Sequence, residues 1–84
     1  MKNKILVEVI VPAAEKKFDV FIPSASRMSE VKMLISGVIS ELSDGKFKAD
    51  KTSVLCDAES GSIFDVNKIV AELGIKNGSG LIYI

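Results

Sequence analysis

The stretch Ile69-Val70-Ala71-Glu72-Leu73-Gly74-Ile75-Lys76-Asn77-Gly78-Ser79-Gly80-Leu81-Ile82-Tyr83-Ile84 decides the fold. It reads as a short apolar helical turn, a Leu-Gly-Ile corner, an Asn77-Gly78 tight turn and a strand running to Ile84. A lone strand leaves its N–H and C=O groups unpaired, so the earlier strands must come to this one.

Working outward, Ile5 to Val11 alternates as a strand. Ile5, Val7, Val9 and Val11 share one face, and Lys4, Leu6, Glu8 and Ile10 share the other. Pro12 to Lys16 is the connection, because Pro12 cannot donate to a ladder. Lys17 to Ile22 is a second strand, with Phe18, Val20 and Ile22 inward and Lys17, Asp19 and Phe21 outward. Two such runs around a short loop predict a hairpin.

After Pro23-Ser24-Ala25-Ser26 the period changes. Met28, Val31, Leu34, Ile35, Val38, Ile39 and Leu42 recur at helical spacing on one side of a helix. Ser26 is the expected N-cap and Gly45 the expected stop. Lys46 to Thr52 is a polar loop in which Phe47 serves as a lid. Ser53 to Asp57 is a short third strand, with Val54 and Cys56 toward the core and Leu55 on the opposite face. Ser62 to Asp65 is a very short fourth strand after the turn Ala58 to Gly61. The expected architecture is α+β: a four- to five-stranded mixed sheet packed on one main helix, with the sheet's other face uncovered.

Eighty-four residues predict a single domain, 1–84, with a small core. Apolar residues make up 48% and charged residues 26%, which is globular rather than disordered composition. Eleven basic and eleven acidic residues cancel, so no bulk field draws nucleic acid or an anionic membrane. Such neutrality favours protein association. The single cysteine, Cys56, has no internal disulfide partner, which fits a reducing compartment. The apolar run from Ile5 is broken by Glu8 and stopped at Pro12. It is too short for a signal peptide, and nothing approaches the ~20 apolar residues of a membrane span. The cytoplasm is the expected location.

The order of elements resembles the ubiquitin-like β-grasp fold. The segment Leu73-Gly74-Ile75-Lys76-Asn77-Gly78-Ser79-Gly80-Leu81-Ile82-Tyr83-Ile84 resembles the Leu-x-x-x-Gly-Ile-x-Asn-Gly-x-x-Leu-x-Ile pattern of the YukD/EsaB family, with the first Leu spacing shortened. Those are small bacterial ubiquitin-like proteins linked to type VII secretion. Gly-Ile-x-Asn-Gly is common in other ubiquitin-like domains and marks the fold more than the subfamily. Conjugating modifiers and sulfur carriers end in a Gly-Gly tail, whereas this sequence ends inside its last strand. The resemblance therefore implies a non-conjugating adaptor that binds proteins noncovalently, with secretion-system membrane components as partners. The rival readings are an accessory subunit of a multicomponent monooxygenase and, less favoured, a modifier or sulfur carrier.

No catalytic, cofactor-binding or metal-binding constellation is legible, and no enzyme is expected. The sequence has no histidine, so Cys56 lacks the neighbouring base that a nucleophile needs. Asp57, Glu59 and Asp65 lack the spacing of a cation loop and read as solvated turn acids. Gly78 and Gly80 precede a strand rather than a helix, so they are turn chemistry rather than a phosphate loop. Lys46, Lys48 and Lys51 surround Phe47, but Asp44 and Asp50 interrupt that basic patch. The remaining candidate is the uncovered sheet face. Leu6, Phe21, Leu55, Ile82 and Ile84 are the expected protein interface, because an exposed apolar patch marks docking. Homodimerisation through the same face is the competing use.

Overall fold

The computed structural model describes residues 4–42 and 53–84. The expectations for Gly45, Phe47 and the Lys46 to Thr52 loop lie outside the described residues. Four strands form one sheet in the order β2-β1-β4-β3: β1 is Lys4–Val11, β2 Lys16–Pro23, β3 Leu55–Asp57 and β4 Gly80–Tyr83. β1 and β2 are an antiparallel hairpin with Val7 opposite Val20 and Val9 opposite Phe18. β4 lies parallel to β1, with Val9 beside Leu81, and β3 is antiparallel to β4 at the far edge. A single main helix, α1 at Met28–Leu42, lies on one side of the sheet.

The alternation read from β1 is the one observed. Val7, Val9 and Val11 are buried, and Ile5 packs on the core. In β2, Ile22 is fully buried while Phe18 and Val20 are half-buried against the same cluster. Met28, Val31, Ile35 and Ile39 form the buried stripe of α1. From β4 come Leu81 and Tyr83, and Val70 and Ile75 close the end of the core. The Tyr83 hydroxyl is kept satisfied by Ser36 of α1 at 2.8 Å, as a buried polar tip requires.

Three local expectations need correction. The N-cap of α1 falls on Arg27, not Ser26: the Glu30 carboxylate accepts from the Arg27 N–H at 3.1 Å. The next two helical amides, on Met28 and Ser29, donate to the carbonyls of Lys68 and Val66 at 2.9 and 3.0 Å. Carbonyls from a distant loop thus do what a serine hydroxyl would otherwise do. The fourth strand shrinks to one bridge, Ile63 against Cys56. Finally, Leu55 stands opposite Tyr83 in the β3–β4 ladder and shares its face, so Leu55 is buried in the core. Cys56, opposite Ile82, points to the helix-free side instead.

The helical turn read over Ile69 to Leu73 is a 3-10 turn at Val70–Leu73, and the Leu-Gly-Ile corner is made by Gly74 at φ 75°. Gly37, mid-helix, is exposed, and a Cβ there would meet nothing within 4 Å. Gly37→Ala should therefore raise stability by about 0.5–1 kcal/mol in a denaturant titration. Leu55→Ala should lower it by about 2–5 kcal/mol, the cost of a cavity in the core rather than of trimming a surface.

Candidate docking surface

The hydrogen-bond registers fix what the helix-free face displays. Across β2 and β1 the rows are Phe21 with Leu6, Asp19 with Glu8, and Lys17 with Ile10. The row of Ile10 continues through Ile82 and Cys56 to Ile63. Beyond it, Val54 and Ile84 exchange backbone hydrogen bonds at 2.7 and 3.0 Å, which carries the ladder on to Ile84. Side chains directly opposite point the same way.

Of the five expected interface residues, four share this face: Leu6, Phe21, Ile82 and Ile84. Phe21 is 59% and Ile84 57% exposed, while Leu6 and Ile82 are half-buried. Leu55 does not belong there, for the register reason given above. Sequence reasoning missed Ile63, at 67% the most exposed side chain of the group. Its bridge to Cys56 could not be read from a run of only four residues.

The patch is also divided. Glu8 and Asp19 sit directly opposite each other between the Leu6–Phe21 pair and the larger Ile10–Ile82–Ile63–Ile84 group. The Lys17 ammonium lies 4.0 Å from the Glu8 carboxylate, and both side chains are well exposed. Such a pair contributes little stability. Its charge pattern still makes the face an apolar surface crossed by an acidic bar.

The bottom of the sheet is held by the Asn77-Gly78 turn. The Leu6 N–H donates to the Asn77 side-chain oxygen at 2.8 Å, and the Gly78 N–H donates to the Leu6 carbonyl at 2.9 Å. Gly78 has φ 90°, where a side chain would be strained. The acids near the opposite turn are occupied by their own backbone. Asp57 accepts from the Glu59 N–H and the Ser60 hydroxyl, and Asp65 accepts from the Asn67 N–H. Among the described residues no three His, Cys, Asp or Glu side chains group as they would around a metal ion. No described helix is long and apolar enough to cross a membrane.

Cys56 is 5% exposed, flanked in the ladder by Ile82 and Ile63. A thiol so covered reacts when the sheet opens. Its alkylation by iodoacetamide should therefore be much slower in the folded protein than in denaturant. Labelling at the rate of a free thiol would mean that Ile63 does not shield it.

No family model matches the chain, and none of the curated proteins does. Solved structures match throughout. The N-terminal ubiquitin-like domain of the 4931431F19Rik protein superposes with a TM-score of 0.78 at 21% identity, covering 100% of this chain and 76% of that one. The ubiquitin-like domain of the Mycobacterium tuberculosis type VII secretion system protein ECCD1 gives 0.74 at 17% identity, covering 96% and 97%. A chain of the MycP5-free ESX-5 inner membrane complex gives 0.79 at 17% identity; 98% of this chain matches, but only 21% of that one. The chain thus spans about a fifth of that ESX-5 protein. The fold is the ubiquitin-like β-grasp: a four-stranded mixed sheet packed against one helix.

Proposed function

We propose that this chain is a non-conjugating, non-enzymatic adaptor that binds a protein partner noncovalently through the helix-free face of its sheet. The observation that carries this reading is the set of large apolar side chains left exposed there: Phe21, Ile63 and Ile84, each more than half accessible. Burying such side chains against a partner is worth roughly 25 cal/mol per Å² of apolar area removed from water. The acidic bar of Glu8 and Asp19 would set the register of docking, since fixed charges specify orientation more than affinity.

The partner class follows from likeness. Two of the matching folds come from type VII secretion proteins, one of them part of an inner membrane complex. The Leu73 to Ile84 pattern also resembles that of the YukD/EsaB family, although its Gly-Ile-x-Asn-Gly core marks the fold more than the subfamily. We therefore assign the adaptor to the cytoplasmic side of a bacterial type VII secretion system, working with its membrane components. This assignment covers one domain-sized piece of such an assembly.

Tagged wild-type protein captured from its native cell, with the bound proteins identified by mass spectrometry, tests both parts. Phe21→Asp/Ile84→Asp alters exposed side chains and should leave the unfolding free energy within about 1 kcal/mol of wild type. The same variant should lose the partner. Capture of secretion-machinery components by the wild type alone would bear out the reading. Equal capture by both proteins would remove the sheet face from it, and capture of oxygenase subunits would replace the partner class.

A further inference from the structure

Among the described residues the sheet has an open edge as well as an open face. Leu6 and Glu8 turn their backbone groups toward the β4 side, as shown by Gly78 N–H donating to the Leu6 carbonyl and Glu8 N–H donating to the Ser79 carbonyl, both at 2.9 Å. Val7 and Val9 must then turn theirs to β2, where they stand opposite Val20 and Phe18. In β2 the N–H and C=O groups of Lys17, Asp19 and Phe21 are left on the outer edge. Eight residues of strand present this edge, and a strand edge of that length is a template for another strand.

The side chains make the edge self-complementary. Asp19 faces Glu8 directly in a non-hydrogen-bonded pair, where side chains are closest and like charges repel. The cation nearby, Lys17, is placed on Glu8. No ion pair relieves Asp19 among the described residues. An antiparallel copy of β2 centred on Phe18 sets Lys17 of each chain opposite Asp19 of the other, twice by symmetry. Centring on Asp19 would oppose two aspartates, and centring on Lys17 would oppose two lysines. On the helix side the same pairing joins the two Phe18 rings. Beside Phe18 lies Leu42 of α1, which with Val11, Ala14, Lys16 and Ile39 lines a shallow apolar hollow. Leu42 is 54% exposed.

We propose that two copies of this chain pair antiparallel through the β2 edge, in the register that sets Lys17 against the second copy's Asp19, to form one continuous sheet. The net charge of zero puts no general repulsion in the way. The helix-free faces of both copies stay uncovered on the same side. This pairing therefore does not depend on the docking reading.

Sedimentation velocity over a concentration series at low salt tests it, alongside amide exchange followed by NMR. The wild type should self-associate. Lys17→Asp alone and Asp19→Lys alone should each weaken association roughly tenfold or more. The double variant Lys17→Asp/Asp19→Lys restores opposite charges and should recover it. The Lys17 and Asp19 amides should become protected as concentration rises. A wild type monomeric at every concentration overturns the proposal. So does association indifferent to the single changes, which would place the contact elsewhere, or a double variant that stays weak. Exposed positions make misfolding of the variants easy to detect by circular dichroism, and protection of the two wild-type amides decides the matter without any variant.

Discussion

Everything in this fold hangs on the pairing of the last strand with the first. β4 lies in the interior of the sheet between β1 and β3, and Val9 and Leu81, side by side in the ladder, are both fully buried. The two strands are parallel, so no short turn can join them. The hairpin, the helix and the β3 crossover all intervene. Closing that loop costs chain entropy before any contact offsets it. The Asn77-Gly78 turn is the device that makes closure specific. Its side-chain oxygen and its amide clasp the Leu6 N–H and carbonyl together, and this sets the register for Glu8 and Val9 beyond it. A one-residue slip would turn Leu81 and Tyr83 out of the core.

The second set of ties is backbone to backbone. Residues 66–71 are stitched to residues 24–29 by four hydrogen bonds, among them Val70 N–H to the Ser26 carbonyl and Ala71 N–H to the Ser24 carbonyl. The start of α1 is thereby held against the 3-10 turn that leads into β4. These bonds satisfy helical amides that would otherwise be orphaned. They couple the helix to the terminal strand without any side chain a sequence pattern could flag.

That difference separates what was legible from what was not. β1, β2 and α1 have clean periods of two and 3.6, and their core-facing sets match the expected ones apart from Leu34 and Leu42, which stay substantially exposed, and Val38, which is only half-buried. Val54-Leu55-Cys56 is apolar at every position, so alternation could say that Leu55 opposes its neighbours but not which way it points. The partner strand decides, through Tyr83. Ser26 looked like a cap because a local rule was applied where a tertiary contact had taken over the work. The candidate face was legible as four side chains on one surface. Its division by Glu8 and Asp19 required knowing which residues of β1 and β2 stand opposite.

The same registers explain how one small sheet can offer two different surfaces. On a pleated strand, side chains leave through the faces while backbone groups leave through the edges. In β2 the outward side chains and the outward amides belong to the same residues, Lys17, Asp19 and Phe21. Phe21 therefore contributes an apolar ring to the face and a free amide to the edge, whereas Lys17 and Asp19 contribute charge to both. Charged residues on an edge strand ordinarily discourage pairing, because a random partner leaves them unmatched. A lysine and an aspartate two residues apart discourage every antiparallel self-pairing register that opposes like charges, and favour the one that opposes unlike charges. The edge is thus closed to promiscuous strands by the charges that leave it open to its own copy, and the apolar face beside it keeps its freedom to bind something else.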